Sequence, residues 1–206
     1  MAGEVKRYSP SGERVLEVAT EVFYREGIRS TSMDTVVARS GVSKPTVYVQ
    51  FGSKDELVAA VLRRRYEQRR EALRQFLGDQ PGPPAERLLA MFDWLARTHA
   101  KKGFRGCPFT NAAVELPEPG HPARAVISEY KRWLRGVFTD LARQAGRTDA
   151  DALGLALLML VDGANARMVV DGDRTAIHAA KKTAARLLGS APDGRIPCPQ
   201  TESRTP

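Results

Sequence analysis

A chain of 206 residues, 42% hydrophobic and 27% charged, is ordinary for a soluble globular protein and can hold one large domain or two small ones. Its net charge of +8 favours a polyanionic partner, and its two cysteines are too few for a disulfide framework or a cysteine-built metal site. No apolar run approaches the length that spans a bilayer, and MAGEVKRYSP lacks the apolar core of a secretion signal, so a cytoplasmic protein with no membrane partner is expected.

Residues 1–8 read as a loose arm with Lys6 and Arg7 available to phosphates. Ser9-Pro10 then opens a helix, cap followed by proline in the first turn. Val15, Leu16, Ala19, Val22 and Phe23 follow at helical spacing, and Gly27 closes the helix. The stretch from Thr31 to Leu57 carries the densest signals. Thr31 and Asp34 form a capping box, Met33, Val36 and Val37 give a short helix its apolar face, and Gly41 ends it. Ser43 caps a second short helix, with Lys44, Pro45 and Thr46 in its first turn. Val47 and Phe51, four apart, face inward and leave Thr46, Tyr48, Val49 and Gln50 outside. Ser53 and Glu56 make the next capping box. Two short helices about a glycine turn, the second with a small, polar and aromatic outer face, form a helix-turn-helix, the geometry that enters the major groove of duplex DNA. Charge agrees modestly: residues 1–70 hold 13 Lys and Arg against 9 Asp and Glu, whereas the remaining, longer part holds 19 against 15.

The next helix runs from Ser53 to about Leu77, and its Arg63, Arg64, Arg65, Arg69 and Arg70 read as a solvated face. Gln80-Pro81-Gly82-Pro83-Pro84 is a rigid break. Helices follow over about 85–101, 109–116, 123–145, 149–170 and 173–188, and the Pro-, Gly- and Ser-rich segment after them reads as disordered. No strand pattern and no repeat occurs, so the chain is all-α. Three units result: residues 1–52, residues 53–188, and a tail over 189–206. No nucleophile elbow, phosphate loop or metal cluster is present, and His99, His121 and His178 lack ligand spacing, so neither an enzyme nor a cofactor is expected. Cys107, between Gly106 and Pro108 with Arg105 nearby, reads as a small buried hydrophobe more readily than as a redox sensor. Cys198 falls in the tail.

The order of these signals resembles the tetracycline-repressor (TetR) family of bacterial transcription regulators. The matching residues are Phe23, Gly27 and Ile28; Thr31-Ser32-Met33 with Val37-Ala38; Gly41-Val42-Ser43, Thr46-Val47-Tyr48, Phe51 and Lys54-Asp55-Glu56-Leu57. Looser similarity extends through GCPFTNAAVELPEPGHPARAV and LVDGANARMVVDGD. One departure is Gln50, where the family usually carries His or Tyr. The resemblance implies an N-terminal helix-turn-helix DNA-binding domain and a C-terminal helical domain for ligand binding and dimerisation. It implies Lys44, Pro45, Thr46 and Val49 toward base edges, Thr31, Ser32, Tyr48 and Lys54 on phosphates, and Ser43 among the DNA-binding residues. Physical chemistry agrees with that division, since Lys44 can donate to guanine and methyl-bearing Thr46 and Val49 suit thymine. One helix-turn-helix reads half a site, so a homodimer on a palindromic operator is expected. Leu155, Met159, Gly163, Ala166, Arg167 and Val170, with Ala180, Ala184 and Leu187, are the candidate interface. The family also implies a small-molecule inducer, for which the candidates are Phe92, Trp94, Leu95, His99, Phe104, Phe109, Asn111, Tyr130, Trp133, Leu134, Met159 and Asp162. Asp162 has a second reading, pairing with Arg167 or with backbone across a dimer. The expected function is a ligand-released repressor; the alternatives are a sequence-indifferent architectural DNA binder and a thiol-responsive regulator using Cys107.

Overall fold

The computed structural model describes residues 7–100 and 102–189, so Lys6, Cys198 and the proposed tail beyond Gly189 lie outside the described residues. Among the described residues the chain forms helices and no strand: α1 Pro10–Glu26, α2 Met33–Ser40, α3 Lys44–Phe51, α4 Lys54–Gly78, α5 Pro84–His99, α6 Pro108–Glu115, α7 Pro122–Gln144, α8 Ala150–Asp171 and α9 Ala176–Gly189. The local punctuation explains the first four. Ser9, Ser43 and Ser53 each accept a backbone N–H from their helix's first turn, at 3.2, 3.4 and 3.1 Å. Such a cap contributes about 1 kcal/mol by giving a partner to an amide the helix leaves open. Gly41 ends α2 at φ 67°, a left-handed turn that only glycine enters without strain.

One cap differs from the expectation. Ser32, not Thr31, caps α2, its Oγ accepting from Thr35 N at 3.0 Å. Thr31 is 1% exposed and donates its hydroxyl to Gly27 O at 2.8 Å, tying the α1–α2 connection shut. Asp34 is paired across the turn with Lys44 at 2.7 Å instead of closing a capping box.

Helices α1–α3 close on Val15, Leu16, Phe23, Val36, Val47 and Phe51, all buried, with Tyr8 stacked on Phe51 at 5.0 Å. Gln50 lies against Gly12, where a methyl group would sit 2.8 Å from its Oε1. The core then runs on without interruption through α4, which is flanked by α1, α5 and α7. That flanking overturns the solvated reading of the arginine run. Arg63 pairs with Glu129 of α7, Arg64 with Glu13 of α1, Arg65 donates to Thr20 O, and Arg69 donates to the Tyr130 hydroxyl at 3.1 Å. Only Arg70 of the five stays exposed.

Helices α7 and α8 pack extensively on one another, and Gly154 sits directly on Thr139. Helix α8 also corrects the statement about apolar runs: over 22 residues it is long and apolar enough to cross a membrane by length and composition. Its buried side nevertheless carries Leu153, Leu157 and Val161 into the protein core, as a core helix does. Helix α5 ends at His99, two residues earlier than expected, and Gly189 is still the last residue of α9.

Candidate nucleic-acid interface and ligand cavity

Helix α3 has two unlike sides because its apolar pair is four apart. Val47 and Phe51 fill the core, which turns Ser43, Lys44, Pro45, Tyr48 and Val49 outward. Val49 is 83% exposed and Tyr48 41%, an uncovered apolar and aromatic surface with no folding purpose within the described residues. Thr46 is half-buried, its hydroxyl 2.8 Å from that of Ser43. The Lys44–Asp34 pair is solvent-exposed on both sides, and such pairs contribute only about 0–1 kcal/mol, so Lys44 can exchange its carboxylate for another acceptor at little cost. Ser32 and Lys54 stand at the N-termini of α2 and α4, where open backbone amides favour a phosphate. Thr31 differs from them: buried, with its hydroxyl engaged, it has nothing to offer a phosphate.

Deeper in the molecule, α4, α5, α7 and α8 enclose a cavity of about 240 Å³, completed by the 102–108 connection and by Tyr24 of α1. Of the proposed ligand contacts, Leu95, His99, Phe104, Tyr130, Leu134 and Asp162 line it. The other candidates lie elsewhere. Phe92 is buried against Phe138, and Phe109 stacks on Tyr130 at 3.7 Å, so both are core. Trp94 carries the Arg69 guanidinium on its ring at 4.9 Å, outside the cavity wall. Trp133 packs on Tyr66, and Met159 is 65% exposed on the far side of α8. Asn111 donates to Arg105 O at 2.7 Å and faces a neighbouring cavity of about 280 Å³ between α1, α4 and α6.

The lining missed by sequence reading is mostly cationic or small: Arg65, Arg69, Lys131, Thr98, Cys107 and Asn165. Asp162 pairs with Lys131 at 2.5 Å, whereas Arg167, its suggested partner, holds Asp171. The His99 Nε2 lies 2.9 Å from Asn165 Oδ1, and its ring packs 4.6 Å from Phe104. Burial pushes the His99 pKa down, against a smaller opposing effect from the Asn165 bond, and burial pushes that of Tyr130 up. Cys107 is half-buried in the wall, at the start of α6.

The cavity is hooked to the helix-turn-helix by side chains of α1. The Tyr24 hydroxyl donates to Gly106 O at 3.0 Å and accepts from Arg105 N at 2.7 Å. The Arg65 guanidinium lies 4.8 Å over the Tyr24 ring while donating to Thr20 O. Both residues therefore touch the cavity and α1 together.

On the outer side of α8, Leu155, Met159, Gly163, Ala166 and Val170 recur every three or four residues and are all exposed, Val170 at 74%. Ala180 and Ala184 do not join them. Both are buried inside the chain's own core, and Leu187 is half-buried.

Comparison with known proteins agrees with these two halves. Residues 15–61 match the family described as bacterial regulatory proteins, tetR family, and residues 84–183 match the C-terminal domain of the LmrA/YxaF-like transcriptional regulators. The transcriptional activator FasR of Mycolicibacterium smegmatis is 30% identical, over 80% of this chain and 76% of its own. LmrA of Bacillus subtilis is 27% identical, over 70% and 78%. Among solved structures, SCO4454 of Streptomyces coelicolor, a TetR-family transcriptional regulator, superposes with a TM-score of 0.80 at 31% identity, covering 87% of this chain and 96% of that one. With its helix-turn-helix, its helical second half and these relatives, the chain belongs to the TetR family of DNA-binding transcriptional regulators.

Proposed function

We propose that the chain acts as a homodimeric repressor that reads a palindromic operator and is released from it by a small molecule in the 240 Å³ cavity. The observation that carries this reading is the Tyr24 hydroxyl, which bonds α1 of the DNA-reading half to Gly106 of the cavity wall. A ligand that moves that wall moves α1 with it. In this reading Lys44, Pro45, Thr46 and Val49 meet base edges, while Ser32, Tyr48 and Lys54 hold phosphates. The exposed α8 stripe supports a two-fold contact with a second copy, and Gly163 and Ala166 allow the helices close approach. Acting on chromosomal DNA, such a protein works in the cytoplasm. Release follows from linkage: a ligand that prefers the non-binding conformation lowers operator affinity by its affinity ratio between the two states.

FasR, 30% identical, is named an activator, and the linkage holds for either sign of regulation. Neither an architectural role nor a thiol switch is favoured. The outer side of α3 is shaped for groove contacts, and Cys107 is half-buried without a second described cysteine beside it. The test is fluorescence anisotropy on labelled duplex from upstream of the chain's own gene, with excess random duplex at physiological salt. Retention is expected for wild type. Equal operator affinity with the cavity empty and with it filled would sink the proposal.

A further inference from the structure

The cavity wall holds four cationic side chains, Arg65, Arg69, Lys102 and Lys131, against one carboxylate, Asp162. Asp162 is already spent on Lys131 at 2.5 Å. Among the described residues neither Arg65 nor Arg69 has a carboxylate partner; their hydrogen-bond acceptors are Thr20 O and the Tyr130 hydroxyl. The two stand one turn apart on the same side of α4, a placement that destabilises a helix by like-charge repulsion. Each also has its guanidinium carbon over an aromatic ring, Arg65 on Tyr24 at 4.8 Å and Arg69 on Trp94 at 4.9 Å. A guanidinium that spends one N–H on a neutral acceptor keeps others to offer, in the fork that fits a carboxylate bidentately. Beside these charges the same lining has an apolar part, Leu95, Leu134, Val161 and the Phe104 ring.

From this division we infer that the cavity takes a small aromatic carboxylate, its acid group between Arg65 and Arg69 and its ring on Leu95, Phe104, Leu134 and Val161. The inference rests on the reading of the cavity as the effector site and adds the charge and shape of the effector. A bound carboxylate supplies the countercharge that α4 lacks, and it does so beside Tyr24, the residue that ties the wall to α1.

The test uses the full chain and three matched sets of probes: benzoate, 2-naphthoate and indole-3-acetate; their methyl esters; and the corresponding arylmethylamines. Calorimetric titration is expected to give at least one acid a Kd tenfold or more below those of its ester and amine. Arg69→Gln should weaken that acid tenfold or more, and Arg97→Gln, whose guanidinium lies on the Phe76 ring, should leave it unchanged. Because Arg65 also braces Thr20 O, Arg65→Gln is compared only after its melting curve shows a folded protein. Esters or amines binding as tightly as the acids, indifference of the acids to Arg69→Gln, or no binding in any set overturns the inference. Anisotropy on operator duplex separates the two claims. An acid that binds through Arg69 without releasing DNA leaves the anion site standing and overturns ligand release, whereas a neutral ester that releases DNA does the reverse.

Discussion

Glycine to alanine should have opposite signs at two helical positions of this chain. In a helix interior alanine is favoured over glycine by about 1 kcal/mol, because glycine loses more backbone freedom on ordering. Gly136 on α7 has nothing within 4 Å of where a methyl group would stand, so Gly136→Ala should stabilise by up to about 1 kcal/mol. At Gly154 the same methyl group would run into Thr139 Oγ1 and lie 3.1 Å from both Thr139 Cα and Cβ. Rotating the Thr139 side chain moves the oxygen but not the Cα, so α7 and α8 themselves must separate by a few tenths of an ångström. Overpacking of that kind costs about 1–3 kcal/mol, which the helix-propensity gain only partly offsets. Gly154→Ala should therefore destabilise by roughly 0–2 kcal/mol, and the two variants should differ by about 1–3 kcal/mol. Urea unfolding followed by circular dichroism, at one fixed protein concentration, measures both. Adding Thr139→Ala to Gly154→Ala should recover part of the loss. If Gly154→Ala is as stable as Gly136→Ala, the close α7–α8 contact does not restrain the fold and the reasoning fails.

Three further outcomes are expected. Lys44→Ala should weaken operator binding by about 1–3 kcal/mol, while Asp34→Asn, which removes the competing carboxylate, should tighten it; a weaker Asp34→Asn complex at every salt concentration would contradict the exchange proposed for Lys44. Leu155→Glu with Met159→Glu places charges on the exposed α8 stripe and should weaken self-association at least tenfold, about 1.4 kcal/mol, by sedimentation; an unchanged dimer would move the interface elsewhere. His99 is held neutral in the fold, its pKa lowered by burial from 6.5, so the unfolded chain takes up the proton first as pH falls. Its contribution to stability is complete above about pH 6.5 and is lost as pH drops from there through the folded value. The stability difference between wild type and His99→Phe should follow that window, and parallel pH curves would show that His99 protonates alike in both states.

How much of this could be read from sequence depended on how local each cause was. Ser9-Pro10, Ser43 with Lys44-Pro45, and Gly41 act within four residues, so the first helices were legible with their ends. The Thr31–Ser32 pair was not. Two adjacent hydroxyls both satisfy the capping pattern, and only the path of the chain from Gly27 turns one inward and the other onto α2. The arginines of α4 failed for a related reason. Charge in a sequence suggests solvent, but α1, α5 and α7 pack against this helix and bring Tyr24, Trp94 and Tyr130 to the guanidinium groups. Phe92 and Phe109 show the converse. Aromatic residues suit a cavity lining and a core equally, and their neighbours Phe138 and Tyr130 decide for the core.

Helix α4 reaches from Lys54, beside the recognition helix, to Arg69 in the cavity wall. Fifteen residues of helix make a rod of about 22 Å. If it pivots on the buried Val58, Val61 and Leu62 near its middle, roughly 9 Å lies toward α3 and about 13 Å toward the cavity. A sideways push of ~1 Å at Arg69 would then swing Lys54 by ~0.7 Å the other way, and in the proposed two-fold dimer the spacing of the two readers would change by twice that. In the proposed dimer those readers would have to stay near 34 Å apart, with hydrogen bonds that fail over a few tenths of an ångström. Under the proposed ligand release, how far a ligand pushes matters as well as how tightly it holds, and two acids of equal affinity but different width should differ in their power to release DNA.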